Sequence, residues 1–151
     1  MFLDNDQFVH QGWLEQYKDF MTEKRFDVIG ADAWLMNNSF MPIKNCKNLG
    51  EPYSYVGCGG MMLKRNVVDT VGVFDEQFNP AYFEDPDYNF RARKNNFRIG
   101  WNYLAKITHL PHQTLGKNKN KANIFAESYK KFRNKWLGFS MQPMRCDDVY
   151  V

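Results

Sequence analysis

At 151 residues and 17.9 kDa the chain has the length of one domain, enough to bury roughly 70% of the surface its unfolded form exposes. Thirteen Phe, eight Tyr and four Trp give an aromatic share of 17%, which excludes general disorder and calls for a packed body. A formal charge of +3 is spread over mixed-sign segments as far as the Lys117–Lys121 run, so no nucleic-acid partner is implied.

The opening Met1-Phe2-Leu3 reads as the end of a strand whose beginning is absent, followed by an acidic turn at Asp4-Asn5-Asp6. Gly12 to Arg25 spaces Trp13, Leu14, Tyr17, Phe20 and Met21 at a helical period. Asp27 to Ala31 reads as a short strand, and Asp32 to Pro52, marked by Asn37, Asn38, Asn45, Asn48 and Gly50, as a long loop or a pair of irregular strands. Tyr53 to Val56 is strand-like and ends in Gly57-Cys58-Gly59-Gly60, where glycine lets a backbone approach something closely; a bulge or turn is the simpler account. Asn66 to Val71 fits a short helix.

The segment Phe74 to Trp101 carries the densest signal. Pro86 suits a first helical position and Asp85 just before it suits a cap, so the helix is expected to open there. It should run to about Asn95, with Asn96 closing it in the left-handed conformation and Phe97 to Trp101 following as a strand. Asp87 lies four residues before Arg91, which makes an intrahelical ion pair its simplest role. Ala105 to Thr108 is a candidate strand ending at His109, and His112 to Lys121 a polar loop. Asn123 to Trp136 is a second amphipathic helix, with Phe125, Tyr129, Phe132 and Trp136 on the buried face and Ile124, Ser128, Lys131 and Lys135 opposite. Residues 138–151 lack a period and are expected to lie as a surface tail. Neither an internal repeat nor a linker divides residues 1–137.

Cys46, Cys58 and Cys146 are odd in number and lack metal-finger spacing, so reduced thiols and a cytoplasmic setting are the simplest reading. No apolar run reaches membrane-spanning length, and peripheral attachment at the inner membrane face stays open.

Asp4 and Asp6 are two apart, so on an extended backbone their carboxylates share a side, a spacing suited to a hard divalent ion; an ordinary Asp-Asn-Asp turn is the competing account. LDNDQFVHQGWL, then GCGGMMLKRNVVDTVGVFDEQF, then YFEDPDYNFRARKNNFRIGW resemble, in order and spacing, the family 2 glycosyltransferases of the GT-A fold, with their DxD motif, glycine segment, FDE turn and ED motif. The resemblance covers roughly Phe2 to Trp136. It implies an α/β fold, the C-terminal, acceptor-side half of a GT-A domain: a small mixed sheet flanked by helices. It also implies that this chain begins at the motif and lacks the nucleotide-binding half, with 1–137 a truncated domain whose open edge a second copy or a partner chain would cover.

By the same resemblance, Asp6 and Asp4 bind Mn2+ or Mg2+ bridging the diphosphate of a nucleotide-sugar, and Asp4, Gly59 and Gly60 line the donor. Asp85 is the general base toward a glycan or other hydroxyl acceptor, giving inversion, and Glu84 orients that acceptor. His109 joins the metal site; a strand-end histidine bonded to backbone is the alternative, and His112 competes for the role. His10 has no such support, and Lys64 and Arg65 read as solvated surface. The other functional class is a fragment or module that binds sugar or a partner without turnover.

Overall fold

The computed structural model describes residues 1–110, 119–140 and 142–145. Its elements are β1 (Gln7–Val9), α1 (Trp13–Glu23), β2 (Val28–Gly30), β3 (Ala33–Met36), β4 (Pro42–Asn45), β5 (Tyr55–Val56) and β6 (Met62–Leu63). They continue with α2 (Arg65–Val71), a 3₁₀ turn (Glu76–Phe78), α3 (Glu84–Lys94), β7 (Ile99–Trp101), β8 (Ile107–His109) and α4 (Lys121–Lys135). The fold is mixed α/β. The mixed sheet is small, in the order β6-β2-β7 with β2 parallel to β7 and antiparallel to β6. There are two further antiparallel sheets, β4-β3-β5 and β1-β8. Among the described residues no helix is long and apolar enough to cross a membrane.

Met1 to Leu3 is not a regular strand, yet Phe2 exchanges backbone hydrogen bonds with the glycine segment, donating to Met61 O at 2.8 Å and accepting from Gly60 N at 3.0 Å. The turn after it is therefore anchored. The irregular stretch after Asp32 resolves into β3 and β4, whose register shifts between Leu35 and Met36. That bulge explains the missing period. In α1 the buried face is Tyr17, Phe20 and Met21, packed with Phe26 and Ile29; Leu14 falls off the stripe and stays exposed.

Helix α3 does not begin as expected. Asp85 is not its cap: the helix opens at Glu84, two residues ahead of Pro86, behind Phe83, which is left-handed at φ 71° and makes no side-chain cap. The first intrahelical bond runs from Asp87 N to Phe83 O, so Pro86 sits at the third position, where an N–H would still be unpaired. Asp85 is thereby freed to point its carboxylate elsewhere. The far end matches expectation. Asn96 adopts φ 62°, its N–H reaches Arg93 O and the Phe97 N–H reaches Ala92 O, the paired closure that satisfies the last carbonyls.

An aromatic core fastens α4 across α3. Phe132 is fully buried, its ring centroid 5.2–5.8 Å from Phe83, Phe90 and Phe40. Ser128, placed by period on the polar side, is buried as well, because its hydroxyl donates to Ala81 O at 2.9 Å and so carries no unmet group inward. Part of the segment after residue 137 is tied down: Met144 and Tyr53 exchange both backbone bonds, at 2.7 and 2.8 Å. His112 and Cys146 lie outside the described residues.

Candidate active site

One ladder brings the first and last site residues together. In the β1-β8 pair Gln7 stands opposite His109, and Leu110 N donates to Asp6 O at 2.9 Å, so the strand end carrying His109 lies against the acidic turn. Asp4 and Asp6 are held by a turn, not by the extended backbone their spacing suggested: Gln7 N donates to Asp4 O and Asp4 N to the Gln7 side chain. Their carboxylates converge all the same. His109 Nε2 is 3.1 Å from Asp6 Oδ1 and 3.9 Å from Asp4 Oδ2. The three ligand atoms lie within 4.8 Å of one another, and two carboxylates with an imidazole form a donor set suited to Mn2+.

The other ring nitrogen has its own partner. Asp32 Oδ2 stands 3.5 Å from His109 Nδ1. An acid behind a histidine fixes which nitrogen carries the proton and leaves Nε2 free to ligate. Asp32 escaped the sequence reading. Its one signal is position, since it follows β2 at the carboxyl end of a strand with a parallel neighbour, where α/β folds place their ligands.

The glycine segment separates this cluster from the α3 acids. A side chain at Gly59 would land on the Asp4 carboxylate, so here the close approach is made by an acid of the cluster itself. Gly60 is left-handed at φ 77° and closes on Ala31 and Tyr17. At Gly57 a Cβ would lie 3.8 Å from both Asp32 Cβ and Asp85 Oδ2. Asn89, one helical turn after Asp85, is fully buried and exchanges two hydrogen bonds with the Val56 backbone, at 2.9 and 3.0 Å. This pins the start of α3 against Cys58.

Charge is the dominant feature of the site. The ion pairs of Asp4, Asp6 and Asp32 all go to His109. Burial raises the pKa of Asp4, with Asp6 and Asp32 adding to the rise and His109 opposing it. Asp85 is pushed up to about 6, chiefly by burial and further by the Asp4 and Asp32 charges, against hydrogen bonds from the Cys58 thiol and N–H. Glu84 rises to about 7, from burial first and then the Asp85 charge. Burial and Asp85 also push the Cys58 thiol up, which keeps it a protonated donor to that carboxylate.

The remaining candidates go elsewhere. Lys64 pairs with Asp27 at 2.9 Å and Arg65 with Asp69 at 2.9 Å, both outside the acid cluster, and His10 bonds the Thr108 hydroxyl. Asp87 pairs with Arg91 at 2.8 Å, as its spacing indicated. Comparison with known protein families, with curated proteins and with solved structures returns no match.

Proposed function

We propose that the chain is the acceptor-side half of a GT-A fold, family 2 glycosyltransferase and that it transfers a sugar, with inversion, from a nucleotide-sugar to a hydroxyl acceptor. The observation that carries this is the meeting of Asp4 and Asp6 with His109 from distant parts of the chain, with Asp85 facing them across the Gly57–Gly60 segment. Asp4, Asp6 and His109 would hold Mn2+ or Mg2+, which supplies charge stabilisation for a diphosphate leaving group. Asp85 takes the proton from the acceptor hydroxyl as that oxygen attacks the anomeric carbon, on the face opposite the departing nucleoside diphosphate. The new glycosidic bond forms as the old bond to phosphate oxygen breaks, without a covalent enzyme intermediate. A carboxylate raised to about 6 is a stronger base than one in water and still ionised near neutrality. Glu84 holds the acceptor.

The test is an amide spectrum of the full chain titrated with Mn2+ and then with uridine, guanosine and thymidine diphosphate sugars. Paramagnetic broadening at Asp4, Asp6 and His109, followed by shifts at Gly59 and Gly60, is expected. A spectrum unchanged by both additions would remove the enzyme reading. Asp32→Asn should weaken Mn2+ binding by about 10- to 100-fold by removing the acid behind His109. Unchanged affinity in that variant would mean His109 orients itself.

A second reading, a binding module without turnover, is favoured by the exposed apolar Met1, Phe2 and Leu3 directly before Asp4. Another protein chain, or a second copy, would cover that surface. A chain that light scattering finds strictly monomeric would count against it.

A further inference from the structure

The acids gather beyond the carboxyl end of β2, where Asp32 follows the strand, and the amino ends of the parallel pair β2 and β7 lead to a feature of opposite charge. Phe26 lies two residues before β2 and Arg98 directly before β7. Beside them an open pocket of about 280 Å³ is lined by Arg93, Arg98 and Arg145, with Phe26, Phe97 and Met144 as apolar walls. We infer that this pocket is an anion site and that its ligand is a phosphate group, borne by a small soluble molecule or by a lipid headgroup. This site stands apart from the transferase reading.

The first observation is an unmet donor. Arg93 Nη1 is buried without a hydrogen-bond partner, while Nη2 of the same guanidinium donates to Gln142 O at 2.6 Å. Burial pulls the Arg93 pKa down to about 10, an effect Tyr53 opposes, so the group is still a cation at neutral pH. A buried N–H on a cation is more costly to leave unpaired than a neutral one, and an oxyanion is the acceptor its planar fork fits best.

The second is charge. The charged residues of the lining are all cationic. Among the described residues no carboxylate is within ion-pair distance of Arg93 or Arg98. Arg98 lays its guanidinium over the Phe26 ring, 5.6 Å from the centroid. Arg145 donates to Gly50 O at 3.3 Å, and its neighbour Met144 is held by the two backbone bonds to Tyr53. Asp27, next to Phe26, already takes Lys64 Nζ and the Arg98 N–H, each at 2.9 Å. The C-terminal end of α3 adds about half a negative charge. Its carbonyls at Ala92 and Arg93 are taken by the Phe97 and Asn96 N–H groups, and three whole cations outweigh it.

The ligand class follows from the match. Three guanidinium groups over-match a single carboxylate, whereas a doubly charged phosphate has oxygens enough to accept from all of them. A neutral ligand would leave the charge of the pocket unanswered. Phe97 and Met144 give an apolar flank to whatever carries the phosphate.

The experiment titrates the full chain, at constant ionic strength, with inorganic phosphate, glycerol 3-phosphate and acetate, and separately with phosphatidylcholine vesicles with and without phosphatidic acid. A phosphate should shift the Arg93 and Arg98 side-chain N–H signals and the Phe97 amide, and acetate should not. Sedimentation with vesicles only when they contain phosphatidic acid would assign the phosphate to a lipid; shifts with the soluble phosphates and no vesicle attachment would assign it to a soluble molecule. Either outcome supports the site. Arg93→Gln should weaken phosphate binding about 10- to 100-fold. Because Arg93 also holds Gln142, the exposed Arg98→Gln is the second variant, expected to weaken binding about 2- to 5-fold with the parent's melting temperature in the absence of phosphate. Unchanged signals with every phosphate, acetate binding as tightly as phosphate, or both variants binding like the parent would each overturn the anion site. Asp147 and Asp148 follow Arg145 closely in sequence, so the double variant Asp147→Asn with Asp148→Asn is titrated as well. Phosphate binding seen only in that variant would make the chain's own acids the occupant and overturn an external ligand.

Discussion

In a complete version of the proposed enzyme, Asp85→Asn is expected to lower sugar transfer by about 10²- to 10⁴-fold, the range over which a positioned general base acts. Asparagine keeps the shape of the side chain and can still accept from the Cys58 N–H, so the fold and the Asp4, Asp6 and His109 cluster should be unchanged while the proposed base is lost. The drop should fall on kcat and kcat/KM alike, because the interaction is made in the transition state. An undiminished rate would mean another group is the base. The same variant has a signature in stability. The folded-state pKa of Asp85 is raised, so its contribution is fully present below the unfolded value, about 4, and is lost as pH rises through about 6. Asp85→Asn should therefore melt higher than the parent at about pH 8 and show no such advantage at about pH 3. Loss of activity with gain of stability at alkaline pH separates a functional carboxylate from a structural one.

What could be read from the chain was whatever rests on local pattern. α1 and α4 announce themselves by apolar spacing, and the closure at Asn96 by the residue that best substitutes for glycine there. Position Asp85 was misread as a cap because the Asp-Pro pair has that local meaning. The start of α3 is instead set by Tyr82 and Phe83 in a conformation aromatic residues rarely adopt, held by contacts to Phe125 and Phe132 that lie far off in sequence. The same limit hid Asp32. After a short strand it looks like a turn residue, and it gains meaning only when β8 returns His109 to 3.5 Å from its carboxylate. Asp4 and Asp6 are marked by their spacing, although the backbone that holds them is a turn and not the extended geometry that spacing suggests.

Asp87→Ala should destabilise the fold by about 3 kcal/mol, although a surface pair of the same sequence pattern is worth a few tenths. Among the described residues two acid–arginine pairs are spaced four apart within a helix, Arg65–Asp69 on α2 and Asp87–Arg91 on α3, and both close at 2.8–2.9 Å. Their surroundings differ. The Arg65 and Asp69 side chains are 88% and 58% exposed, so water competes for both charges. Asp87 is 0% exposed and receives Arg91 Nε at 2.8 Å, Lys135 Nζ at 2.7 Å and Trp136 Nε1 at 3.0 Å, which join α3 to the end of α4. Removing the carboxylate strands a buried indole N–H and two partly buried cations. The loss falls at the lower end of the range for broken buried pairs because Arg91 keeps the Val71 and Val73 carbonyls and Lys135 keeps Asp75. Asp69→Ala should cost less than about 0.5 kcal/mol. Urea unfolding of the two variants side by side measures the contrast, and near-equal midpoints would mean that the Phe132 core alone holds α4 in place.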